Sequence, residues 1–157
     1  MSDITYSPAQ PIIPAFKGLQ ERLGVFGEPL IRIAAGLLLM PHGAQKLFGL
    51  FGGGGVSGTA GFFAQIGIEP AVLAALAVGA IEFFGGLFLA LGLLTRPAAL
   101  AITVVMALAT FYVHLGNGFF WTSGGYEYPL FWGLVALGFV LRGGGRYSLD
   151  ALIGREF

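Results

Sequence analysis

The sequence predicts an all-α integral membrane protein, a bundle of four transmembrane helices with both termini cytoplasmic and an amphipathic helix lying ahead of the first span. Three observations predict it. Of the 157 residues, 56% are apolar and only 10% charged, against roughly 25% charged in soluble domains. The mean hydropathy is +0.83. Four apolar stretches are long enough, at about 1.5 Å per residue, to cross about 30 Å of hydrocarbon.

The first 27 residues form a tail and an interfacial segment. They hold Pro8, Pro11 and Pro14 and charges at Asp3, Lys17, Glu21 and Arg22, so no continuous apolar run of a cleavable signal peptide is expected there. From Pro14 to Phe26, the residues Phe16, Leu19, Leu23 and Phe26 recur at helical spacing with polar residues between them. That pattern predicts a helix lying on the inner membrane surface. A partner-docking face would have the same pattern.

The bundle occupies residues 28–142, with spans at about 29–48, 71–94, 97–116 and 126–141, and a cytoplasmic tail follows at 143–157. Pro29, Pro70 and Pro97 stand at or near first-turn positions, where the missing N–H costs nothing. Pro41 should kink the first span by freeing the carbonyl of Leu37. Lys17, Arg22, Arg32, Arg96, Arg142, Arg146 and Arg155 fall on the side of the termini, and Lys46 alone near the opposite edge. Seven basic residues against one orient the chain with the termini inside.

The outward loop between the first two spans is glycine-dense (LFGGGGVSGTAGFF). It lacks the Lys-Ser/Thr ending of a phosphate loop. It is expected to be a flexible tether followed by a short helix, capped by Thr59 and ended at Gly67. With zero net charge, nothing suggests a nucleic-acid partner. The absence of cysteine removes disulfides, thiolate nucleophiles and Cys-ligated clusters.

Ionisable groups at membrane depth are the informative ones, because they persist only when paired, protonated or used. His42 and Lys46 share a face of the first span at i, i+4 spacing, and Arg32 lies within roughly 40° of Lys46 on the helical wheel. Glu82 stands near the middle of the second span and is expected to form a structural ion pair with Arg32. His114 in the third span and Glu127 at the start of the fourth fall in the outer half. Together His42, Lys46, Glu82, His114 and Glu127 predict an outward-facing polar pocket able to exchange protons. Each also has a plain structural reading, as a snorkelling, paired or hydrogen-bonded residue. Two histidines on different helices are the minimum for a b-type haem, but no further pattern supports haem, and no metal site is expected.

These segments carry a family resemblance. RIAAGLLLMPHGAQKLFG (32–49), VGAIEFFGGLFLALGLLTRPAA (78–99), FYVHLGNGFF (111–120) and YEYPLFWGLVALGFVLRGGGRYSLD (126–150) resemble the DoxX family of bacterial membrane proteins over about residues 28–150. The features that carry it are Arg32, the HGxxK element at His42 and Lys46, Glu82 before a Gly pair, and the terminal GRYSLD. The resemblance implies a four-helix bundle in the bacterial inner membrane. Some relatives are small subunits of a thiosulfate:quinone oxidoreductase, which makes a quinone the candidate ligand, with no intrinsic cofactor. Three readings stay open: a redox-associated subunit with a quinone-binding pocket, a structural or assembly subunit of a membrane complex, and a small-molecule permease. Partners are the lipid bilayer and, according to the reading, oxidoreductase or other membrane-complex subunits or further copies of the chain.

Overall fold

The computed structural model describes Ala9 and residues 11–156, where helices and short connections account for the whole path and no strand forms. Asp3 and Pro8, on which part of the signal-peptide expectation rests, lie outside the described residues. The helices are α1 (Lys17–Gly24), preceded by a 3₁₀ turn at Pro14–Phe16, then α2 (Gly27–Phe48) and α3 (Gly55–Gln65). They continue with α4 (Ala71–Leu91), α5 (Thr95–Asn117), α6 (Glu127–Arg142) and α7 (Leu149–Ile153). By length and composition α4 and α5 can each cross a membrane. A third candidate combines Pro14–Gly24 with α2, across a bend of 43°. At 16 residues, α6 is shorter than the roughly 17–25 residues of a typical span.

Successive long helices run antiparallel, which gives the molecule a terminal end (residues 27–32, 89–96 and 142–156) and a loop end (48–71 and 114–127). α2 packs on α4, and α5 packs on both α4 and α6. The tightest seam is α2 on α4, and its sequence cause is a pair of seven-residue glycine spacings. A Cβ at Gly36 would collide with the Gly86 carbonyl and the Ala90 amide, and one at Gly43 with the Phe83 amide and Gly79 carbonyl. Small residues at such a crossing bring two backbones into direct contact, which supplies packing where lipid removes the hydrophobic drive between helices. Leu39, Leu89, Ile102, Val105, Met106 and Phe139 fill the space between the four long helices. Leu30, Val104 and Leu134 are more than half exposed, as the apolar outer surface of a membrane bundle requires.

α4 and α5 are not uniform. Each widens into one π turn, at Ile81–Gly85 and at Ala109–His114. α2 runs as one helix through Pro41. At its end Gly49 takes the left-handed conformation (φ 69°). The glycine run that follows is not the free tether expected: the Gln45 side-chain amide donates to the Phe51 carbonyl at 3.1 Å, and Gly53 lies so close to the backbone of Gln45 that no side chain fits. α3 begins four residues ahead of Thr59, whose hydroxyl donates back to the Gly55 carbonyl instead of capping. Ala60 and Phe63 seat α3 on Ala75 of α4.

Candidate functional site

Polar side chains gather at three levels. At the terminal end, Arg32 is 1% exposed, the largest fully buried side chain among the described residues. Its Nη1 donates to the carbonyls of Leu89 and Ala90 at 2.7 Å each, and its Nη2 to the Tyr147 carbonyl at 2.7 Å. The carbonyls of Leu89 and Ala90 belong to the last turn of α4, which carries partial negative charge; the Leu89 carbonyl also accepts from the Gly92 amide at 3.1 Å. The expected Arg32–Glu82 ion pair is therefore not formed. Arg32 meets α4 seven residues beyond Glu82, about 10 Å along the helix.

Asp150 works on the other side of the same turn. Its carboxylate accepts from the amides of Leu94 (2.7 Å) and Thr95 (2.9 Å) and from the Thr95 hydroxyl (2.7 Å), capping the start of α5. Burial acts to raise its pKa. The hydrogen bonds from Thr95 and Leu94, with the Arg32 charge, outweigh that and hold the carboxyl below the ordinary aspartate value. Ser148 caps α7 by accepting from the Ala151 amide. Arg142 of α6 donates twice to Glu28 of α2, at 3.0 and 2.7 Å. The GRYSLD segment is thus a clamp joining α2, the α4–α5 turn and the chain after α6. Asp150, Ser148, Thr95 and Tyr147 were not singled out by residue chemistry. The signal was there: Ser148 and Asp150 sit where a short helix would be capped.

At the middle level, Lys46 of α2 donates to Glu82 at 2.6 Å. The Glu82 side chain is 6% exposed and that of Lys46 26%. Glu82 lies in the π turn of α4, a distortion that recurs at functional positions in helices. One turn before Lys46, His42 is exposed and makes no hydrogen bond to the described residues. This level therefore holds a closed ion pair with an uncommitted imidazole beside it.

At the loop end, His114 closes the π turn of α5, and its Nδ1–H donates to the Gly124 carbonyl at 2.7 Å. Asn117 donates to the same carbonyl. Glu127 accepts from the Trp121 amide at 3.1 Å. Both ionisable groups fold the 115–127 connection. Of the five expected pocket residues, hydrogen bonds and helix spacing bring together His42, Lys46 and Glu82, while His114 and Glu127 are bonded within their own loop. Two open hollows, of about 560 and 370 Å³, lie at the terminal end around residues 142–156 and are lined by none of the five. Among the described residues no three His, Asp or Glu side chains group as a metal site would require.

A family model described as DoxX matches residues 28–115. An uncharacterized protein of Haemophilus influenzae is 35% identical over 127 residues, covering 76% of this chain and 85% of that protein. A second uncharacterized Haemophilus influenzae protein is 33% identical over 66 residues, 42% of this chain and 44% of its own length. No solved structure matches.

Proposed function

The chain belongs to the DoxX family of membrane proteins, and from that premise we propose that it spans the bacterial inner membrane four times, termini inside, and binds a quinone or similar small molecule at His42, Lys46 and Glu82. The observation that carries this reading is the Lys46–Glu82 ion pair at membrane depth with the exposed, uncommitted His42 one turn away. An imidazole without a partner in an apolar layer gains a hydrogen bond when a carbonyl ligand arrives.

The chemistry suits a quinone head. The His42 N–H donates to one carbonyl oxygen. Lys46, a quarter exposed, supplies positive charge near it, and Glu82 holds or accepts a proton as the ligand binds. The neighbouring helix offers planar surface: Trp132 of α6 donates to the Ala35 carbonyl of α2 at 3.3 Å. Towards the loop end Tyr128 lies edge-on to Trp132, and Trp121 stacks on Tyr128 at 5.3 Å. His42 is two turns beyond Ala35 in the same direction, so the aromatic series and the imidazole share a depth range. His114 and Glu127 are assigned to the outer rim of this region, shaping the approach through the loop they fold. Orientation rests on the basic side chains clustered at the terminal end.

Titrating a short-chain ubiquinone analogue into the protein in lipid nanodiscs tests the proposal. Saturable binding is expected, weakened at least tenfold by His42→Ala and by Glu82→Gln. Absence of binding, or binding unchanged in both variants, overturns it.

A second reading, a structural or assembly subunit, is favoured by one observation. Phe16, Leu19, Leu23 and Phe26 are each more than half exposed, and no residue of α1 is buried. If that face docks a protein, Leu19→Glu with Leu23→Glu removes co-purifying subunits and leaves quinone binding intact.

A further inference from the structure

The two hollows at the terminal end adjoin one another and differ in chemistry. One, of about 370 Å³, is lined by Arg142, Arg146 and Arg155 with Asp150 and Glu156. The other, of about 560 Å³, is lined by Leu91, Tyr147, Leu149 and Leu152. Arg146 and Ser148 line both. The two carboxylates of the first hollow are already occupied: Asp150 by the amides of Leu94 and Thr95, Glu156 by the Gly144 amide and Arg96. Arg142 is held by Glu28. Arg146 lies over the Tyr147 ring, 5.0 Å from its centroid. Among the described residues neither Arg146 nor Arg155 has an ion-pair partner. The apolar hollow is open at its Leu152 wall, a side chain 81% exposed.

A cationic hollow merging into an apolar one describes an amphiphile with an anionic head. We propose that this paired hollow binds an anionic glycerophospholipid, its phosphate between Arg146 and Arg155 and its acyl chains over Leu91 and Leu152. Guanidinium forks match phosphate oxygens in geometry and charge. The level is also right: Arg146 follows α6 by four residues, where a span ends and headgroups begin. The clamp segment that supplies Arg146 also supplies Ser148 and Asp150, so a lipid seated there would brace the α4–α5 turn.

Native mass spectrometry of the full chain in mild detergent tests this, with added phosphatidylglycerol, phosphatidylcholine or inorganic phosphate. Retained phosphatidylglycerol is expected, at least tenfold in preference to phosphatidylcholine, and not displaced by millimolar phosphate. Arg146→Ala with Arg155→Ala should reduce that preference by roughly ten- to thirtyfold. Arg146→Lys with Arg155→Lys, which keeps charge and fold, should restore most of it. Equal retention of the two lipids, or a preference undiminished in the alanine variant at unchanged helix content, overturns the proposal. Displacement by inorganic phosphate also overturns it, because the site would then take a free anion.

Discussion

Arg32 and Asp150 hold opposite sides of one turn. Arg32 binds the carbonyls of Leu89 and Ala90 as α4 ends, and Asp150 binds the amides of Leu94 and Thr95 as α5 begins. Each charge meets the helix terminus of opposite sign, positive at carbonyls and negative at amides. The Tyr147 carbonyl on Arg32 and the Asp150 amide on the Gly92 carbonyl close the loop between them.

Removing Arg32 takes the side-chain donor from the carbonyls of Ala90 and Tyr147, each worth about 1 kcal/mol, while Leu89 keeps the Gly92 amide. Arg32→Ala is expected to lower stability by about 2 kcal/mol, read as thermal unfolding in detergent. Arg32→Lys recovers only part, because one ammonium cannot reproduce the fork that reaches two helix-end carbonyls and Tyr147. If Arg32→Lys is as stable as the parent, charge alone matters and the fork geometry does not.

Asp150 makes the clamp sensitive to acid. Its folded-state pKa lies below the ordinary value, so folding favours the ionised form. The stabilisation is complete above the unfolded pKa of about 3.9 and is lost as pH falls through the folded value. Unfolding temperatures measured between pH 7 and pH 3 should drop at the acid end in the parent. Asp150→Asn should be less stable at pH 7, by about 1–2 kcal/mol, and should lack that part of the acid drop.

The glycine seam gives a packing prediction. Gly43→Ala places a methyl against the backbone of Phe83 and Gly79, atoms that cannot rotate away, so α2 and α4 must separate. An overpacking loss of about 1–3 kcal/mol is expected. Gly138→Ala, where a Cβ meets open space, should be neutral. Melting the two variants side by side separates a close helix crossing from a general dislike of losing glycine.

What the sequence displayed was depth, and what it hid was azimuth and partner. Hydropathy marks α4 and α5 as candidate spans directly, because an apolar run of about 20 residues is long enough to cross the bilayer. It placed Arg32 and Glu82 on different helices within apparent reach of one another. It could not show that Arg32 faces the last turn of α4 while Lys46 reaches inward to Glu82. That choice depends on the crossing set by Gly36, Gly43, Gly79 and Gly86. The π turns around Glu82 and His114 leave no trace in a 3.6-residue periodicity. Thr59 has the chemistry of a helix cap, but α3 begins at Gly55, which leaves Thr59 in its second turn with its hydroxyl on the Gly55 carbonyl. His114 and Glu127 were visible as polar groups at outer depth, yet their partners are backbone groups of a loop, which no side-chain pattern announces.

The Lys46–Glu82 pair separates a structural salt bridge from a working site. Taking away one member strands the other charge away from water, so Lys46→Met or Glu82→Gln alone should cost about 3 kcal/mol, with Glu82→Gln the milder because it leaves no negative charge behind. The double variant should recover much of that loss, because an uncharged pair needs no partner. A double-mutant cycle on unfolding therefore measures the coupling of the pair. The same four proteins, assayed for quinone binding, give the functional answer. If the double variant is stable but has lost binding, the charges serve the ligand. If it is stable and binds as the parent does, the pair only joins α2 to α4, and the site reduces to His42.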